Sequence, residues 1–185
     1  MVNGCFVLNE GAVAGWTDVD RETVLNLLNE ILAIEIVCVL RYKRQESMAK
    51  EVHAGSLAAE FQKLAQDAQV HVDLVAERIT QLEGEPNFTP VGHLMENHSE
   101  YIEGSSFREM IKGDWVAERM AIDFYREMIR VINGKDPTTH RMLENIVASE
   151  KKHTARLIHL MTSFEQRTIT SSFHSNRSFI ASNQR

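Results

Sequence analysis

A chain of 185 residues, 43% hydrophobic and 25% charged, has the composition of an ordinary soluble globular protein, and one domain with a sizeable core is its simplest organisation. Its formal charge of −6 argues against a nucleic-acid-binding body, which needs clustered Lys and Arg, and its two cysteines, Cys5 and Cys38, make neither a disulfide framework nor a CxxC metal motif. The start "MVNGCFVLNEGAVAGW" has no basic n-region, and no uninterrupted apolar run approaches the roughly 18 residues that span a bilayer, so the expectation is a cytoplasmic protein with no membrane partner.

Residues 1–19 read as an N-terminal extension. From about Asp20 to about Met48, "VLNLLNEILAIEIVCVLRY" carries the i, i+3, i+4, i+7 apolar recurrence of an amphipathic helix, with Asp18 or Asp20 available to cap it. A second helix is expected from near Ser56 to about Glu83, where Gly84 suits the left-handed residue after a helix and Pro86 blocks continuation. The linker "GEPNFTPVGHLMENHSEYIEGSS" is too long for a simple joint between neighbouring helices, which takes about 2–8 residues, so it is expected to cross the length of a bundle. A third helix covers Ser106 to Ile132 and ends at Asn133-Gly134. The fourth opens with "DPTT", Asp136 capping and Pro137 in the first helical position, and runs to about Phe164. Residues 166–185, Ser- and Asn-rich, read as a flexible tail.

Four helices of roughly 26–29 residues, each about 40 Å long at 1.5 Å per residue, predict an all-α four-helix bundle over residues 20–165, with one long crossover between the second and third helices. A long coiled coil is the competing arrangement, and the short joint "NGKDP" and the width of the apolar stripes argue against it.

Polar residues interrupt those stripes. Glu35 has Ile31, Leu32, Cys38 and Val39 around it on its own face, and Glu118 is followed by Ala121, Ile122 and Tyr125. Each glutamate has a tyrosine seven residues on, Tyr42 and Tyr125. An inward carboxylate needs a partner, either a base from a facing helix or a metal ion. The second and fourth helices carry inward histidines, His71 and His153, and Glu150 precedes His153 by three residues, one turn away on the same face. Glu35 precedes His71 by 36 residues and Glu118 precedes His153 by 35, so two helical hairpins present a Glu and a His at matching heights. Buried acids and imidazoles without an equal number of bases call for a counter-charge, which a pair of divalent cations supplies. This is the glutamate-plus-ExxH pattern of di-metal carboxylate bundles. Only the second-helix glutamate is missing.

The stretches "LNEILAIEIVCVLRY", "HVDLVAERITQLEGEPN", "DWVAERMAIDFYREMI" and "LENIVASEKKH" resemble the bacterioferritins and the ferritin-like superfamily over about Asp20 to Phe164. The resemblance implies a ferritin-like bundle in which Glu35, His71, Glu118, Glu150 and His153 match five of the six family iron ligands, while the sixth, a bridging glutamate, falls on Ala68. Gln69 stands where the family places its haem-binding methionine, and an amide is a poor axial iron ligand, which argues against haem.

The resemblance further implies ferroxidase chemistry for iron storage or detoxification, with Fe(II) oxidised by dioxygen or peroxide inside each subunit of a homo-oligomeric shell. Glu35, Glu118, Glu150 and Tyr42 are the candidate catalytic residues, with Tyr42 donating a hydrogen bond or an electron or simply packing. Carboxylate and imidazole ligands fit iron, di-iron or mono-iron, with Mn and Zn as competitors. Asp67, four residues before His71, is the local candidate to replace the missing ligand, although it lies about 100° round the helix from Ala68. Other functional readings are a non-catalytic ferritin-like scaffold, a DNA-protecting mini-ferritin-like shell, for which Arg167, Arg177 and Arg185 are a poor basis, and a di-metal oxygenase with an organic substrate.

Overall fold

The computed structural model describes residues 21–89, 106–132 and 135–182, with side chains as far as residue 163. Within it are four helices, α1 (Arg21–Glu51), α2 (Gly55–Gln81), α3 (Phe107–Ile132) and α4 (Pro137–Ser182), and no strand among the described residues. The N-terminal extension, the caps Asp18 and Asp20, the middle of the crossover and the Asn133-Gly134 joint lie outside the described residues.

α1 and α2 form one hairpin, α3 and α4 the other. The tight α1–α2 turn follows from a Schellman closure: Ala54 N–H donates to Ala49 O at 2.8 Å, His53 N–H to Lys50 O at 3.0 Å, and His53 is left-handed at φ 58. α2 ends the same way, with Gly84 N–H donating to Ile79 O and Glu83 N–H to Thr80 O, each at 2.9 Å. Here the structure corrects the expectation for Gly84. The left-handed residue is Glu83, at φ 58, and Gly84 serves a different end: a Cβ there would sit 2.4 Å from Leu25 Cδ2, so the Leu25 side chain would have to shift to admit one. The chain leaving α2 thus presses directly on α1. Arg21 closes the same end, donating from Nε to Leu82 O at 2.6 Å and from its terminal nitrogen to Glu83 O at 2.7 Å.

α3 starts with a capping box. Ser106 N–H donates to Glu109 Oε2 at 2.9 Å, and Glu109 N–H points back to Ser106 Oγ at 3.4 Å. At the start of α4, Asp136 Oδ1 accepts from Thr139 N–H at 3.0 Å, and the same carboxylate receives Arg78 of α2 at 2.9 Å to both oxygens. Arg78, Asp136 and Thr139 are all buried, so this cap also bolts the second hairpin to the first. The α4 backbone continues past the expected end at Phe164 and is helical to Ser182. No glycine or proline follows Pro137, so nothing in the sequence breaks the helix.

Between the helices lies one apolar core, built on Leu28, Ile31, Phe61, Val75, Ile111 and Leu157. By length and composition α1 would suit a membrane span, yet half of that stretch is buried within the bundle, where its inward face carries Glu35, Gln45 and Glu46. Its apolarity is that of a core helix.

Candidate metal centre

Midway along the bundle all four helices turn a polar residue inward. Glu35 comes from α1, His71 from α2, Glu118 from α3, and Glu150 with His153 from α4, and every one of them is buried. Their ligand atoms fall into two groups, Glu35–His71–Glu150 and Glu118–Glu150–His153, each with its atoms within 4.8 Å of one another. Glu150 belongs to both. Its Oε1 lies 2.7 Å from His71 Nδ1 and its Oε2 lies 2.8 Å from His153 Nδ1, so one carboxylate spans the centre. His71 Nδ1 is also 3.3 Å from Glu35 Oε2, and His153 Nδ1 is 3.9 Å from Glu118 Oε1.

The outer carboxylate oxygens are held by tyrosines. Tyr125 of α3 donates to Glu35 Oε1 at 2.7 Å, and Tyr42 of α1 donates to Glu118 Oε1. Tyr42 therefore touches a carboxylate of the centre, on the opposite helix. Tyr125, which the sequence pattern paired with Glu118, works on Glu35 instead.

An internal two-fold relates the hairpins. Glu118 lies 83 residues after Glu35, Tyr125 83 after Tyr42, and His153 82 after His71. The same step of 82 leads back from Glu150 to Ala68, which is buried. One bridge is present and its symmetry mate is a methyl group.

Asp67 belongs to neither group. It faces α4, where its Oδ2 lies 3.3 Å from His153 Nε2 and 3.1 Å from an Arg156 terminal nitrogen. The expected repair ligand thus stands behind His153, at the ring nitrogen turned away from Glu150. There it would hold the ring through Nε2–H when an ion takes Nδ1 in place of the hydrogen bond to Glu150, as a carboxylate behind a ligating histidine does. It lies away from the Ala68 position because of the turn of about 100° between successive helical residues. The two-fold mates of Asp67 and Arg156 are Ser149 and Leu74, so His71 has no equivalent acid–base pair behind it. Gln69 sits on the outer side of α2, its amide donating to Asp73 at 2.9 Å.

Taken as protein groups alone, the cluster neutralises itself with protons. Burial, reinforced by the charge of Glu150, raises the pKa of Glu35, and the same two causes hold Glu118 well above the carboxylate range. Burial opposes ionisation of Glu150 too, but hydrogen bonds with Glu118, His153 and His71 outweigh it and hold Glu150 below the usual range. Burial alone would lower His71; its hydrogen bonds to Glu150 and Glu35 overcome this and raise it to about 10. Cations placed among these groups would favour the ionised carboxylates and the neutral imidazole. The donor set, three carboxylates and two imidazoles in two groups sharing one bridge, fits a pair of divalent transition-metal ions.

One turn further along α1 and α3 lies a polar pair that the sequence reading did not single out. Gln45 Nε2 donates to Asp114 Oδ1 at 3.1 Å, and Arg41 stands 3.7 Å from the same oxygen. Among the described residues, Gln45 Oε1 and Asp114 Oδ2 are buried without a hydrogen-bond partner. The signal for this pair was the heptad-like spacing of Asp114 before Ala121 and Gln45 after Cys38, which puts both on inward faces.

Sequence and structure comparisons relate the chain to proteins of known family and fold. The model of the ferritin-like domain matches residues 25–166. A bacterioferritin of Desulfovibrio desulfuricans is 27% identical over 142 residues, 76% of this chain and 75% of the relative. One from Mycobacterium tuberculosis is 30% identical over 131 residues, 70% of this chain and 78% of the relative. Among solved structures, the D. desulfuricans bacterioferritin, described with its diiron site in different catalytic states, superposes with a TM-score of 0.71 at 24% identity, over 79% of this chain and 82% of that one. The bacterioferritin-related protein of Bacteroides fragilis, described as a dodecameric thioferritin, gives the same TM-score and identity over 92% of this chain and 98% of that one. At 24% identity these two structures speak for the four-helix fold.

Proposed function

The chain belongs to the ferritin-like family, and from that premise we propose that it binds iron at the Glu35–His71–Glu118–Glu150–His153 centre and oxidises Fe(II) to Fe(III) there for storage or detoxification. The observation that carries the reading is the pair of buried ligand groups sharing Glu150. Iron is the substrate, and when bound it supplies electrons to dioxygen or peroxide. The protein groups do the rest. Glu150 would be shared by the two ions, while Tyr42 and Tyr125 fix the outer carboxylates and Asp67 sets the His153 ring. Because burial raises the pKa of Glu35 and Glu118 and hydrogen bonds raise that of His71, cation loading would compete with protons at these groups. The bacterioferritin relatives support this chemistry.

Homo-oligomeric assembly is part of the same proposal. Val70 and Leu74, 55% and 40% exposed and one turn apart on α2, are apolar side chains that a second copy would cover. A cytoplasmic location is supported by Cys38, a free buried thiol.

Aerobic Fe(II) oxidation tests the reading. The protein should oxidise Fe(II) faster than buffer, and Glu118→Ala with Glu150→Gln should abolish the gain. The second reading, a scaffold with one metal or none, is favoured by the buried Ala68 one turn before His71, where the other half has Glu150. Oxidation no faster than buffer, with folding intact, would select it.

A further inference from the structure

Glu150 lies one turn before His153 on α4, and its two oxygens reach one histidine in each half of the centre, at 2.7 and 2.8 Å. The internal two-fold puts Ala68 in the equivalent place, one turn before His71 on α2. Ala68 is 1% exposed, so its methyl group is walled from solvent, and a glutamate there would differ from it by one methylene and one carboxylate. Acetate has that same two-carbon carboxylate composition, and formate is one carbon smaller.

Charge points the same way. Glu35, Glu118 and Glu150 bring −3 to two divalent ions, leaving +1 in a buried site, where an uncompensated charge is strongly disfavoured. The acid beside Ala68 does not supply the balance, because Asp67 faces His153 Nε2 and is paired with Arg156. A small monoanion with two oxygen donors brings the cluster to neutrality and adds one ligand to each half.

We propose that a small exogenous monocarboxylate, of the size of formate or acetate, binds beside Ala68 between the two metal positions and completes the centre as a second bridge opposite Glu150. The inference rests on the di-metal reading above. Loading with the second ion then depends on the carboxylate as well as on the metal. Ala68 is buried in the hydrophobic core, so the proposal is confined to the smallest carboxylates.

The test is anaerobic Co(II) titration of the full chain, at fixed pH and ionic strength, in chloride, formate, acetate or benzoate, read by calorimetry and by visible absorption. Formate or acetate, and not benzoate, should tighten the second Co(II) by about tenfold or more and change the cobalt bands. Ala68→Glu should bind two Co(II) ions in chloride and ignore acetate, and Ala68→Val, which puts a larger apolar side chain at that position, should also ignore it. Two ions bound in the wild type with the same affinity in chloride and acetate would overturn the second bridge and leave the metal reading standing. So would a wild type that takes a second ion in no salt while Ala68→Glu takes two. Absence of Co(II) binding in every protein and salt would overturn both.

Discussion

Tyr125 on α3 donates to Glu35 on α1 at 2.7 Å, while Tyr42 on α1 donates to Glu118 on α3. Each helix carries its glutamate and tyrosine seven residues apart, and the antiparallel pairing of α1 with α3 exchanges them. Each of these two carboxylates is therefore held by a tyrosine of the opposite helix. Tyr125→Phe should destabilise the fold by about 1–3 kcal/mol, the cost of leaving a buried carboxyl oxygen without its donor. Urea unfolding measures this. Adding Tyr42→Phe should give a non-additive change, because both hydroxyls act on one cluster.

The acid–base pair behind His153, with no counterpart behind His71, makes the two halves unequal. His71→Ala should keep one tightly bound metal ion, whereas His153→Ala should weaken the first ion bound. Asp67→Ala should lower affinity at the Glu118–Glu150–His153 half by roughly 10–100-fold through loss of His153 orientation. Metal titration reads all three, and two equally tight ions in the wild type would contradict the asymmetry.

Asp114 gives the stability a pH dependence of its own. Burial raises its pKa from 3.8 to about 7, against the opposing effects of Arg41 and Gln45. Below about pH 4 both folded and unfolded states hold the proton. Between there and about pH 7 the folded state retains a proton that the unfolded state has released, so stability falls as pH rises, and above about pH 7 the loss is complete. At about 1.4 kcal/mol per pH unit the full span is as much as about 4 kcal/mol. The difference between wild type and Asp114→Asn in chemical unfolding, followed from pH 4 to 8, should decline over that window and then level off.

The end of α2 offers a pair of opposed substitutions. Glu83 carries a left-handed backbone at φ 58, so Glu83→Gly should stabilise by about 0.5–1 kcal/mol. Gly84→Ala should destabilise, because the new Cβ meets Leu25 Cδ2 at 2.4 Å. Thermal unfolding of the two variants should shift in opposite directions.

Much of this was legible in the residues. Apolar recurrence located four helices, and the polar interruptions of the stripes at Glu35, His71, Glu118, Glu150 and His153 are the residues the fold brings together. What periodicity cannot give is the partner across a helix interface. Asp67 was legible as an acid near His71 on its own helix, yet its contacts are His153 and Arg156, 86 and 89 residues away. Tyr125 was visible as an inward residue but not as the donor to Glu35. Gly84 was identified as a helix-stop signal for its backbone freedom, whereas the packing of Leu25 against it is a tertiary fact. The end of α4 was misplaced because polar composition suggested an end where no breaking residue stands.

The separations within the centre also carry a kinetic meaning. Glu35 and His71 meet within the first hairpin, 36 residues apart, and Glu118, Glu150 and His153 lie within the second. Among the contacts that join the hairpins, Tyr42 with Glu118, Asp67 with His153 and Tyr125 with Glu35 close loops of 76, 86 and 90 residues. Each hairpin can therefore form from near-neighbour contacts while its carboxylates and imidazole remain hydrated, and docking of the two is the step that strips water from them. A cation held by Glu150 under the proposed function would act after that step, slowing the separation of the hairpins without hastening their encounter, so its effect would fall on the lifetime of the folded protein and not on the rate at which it forms.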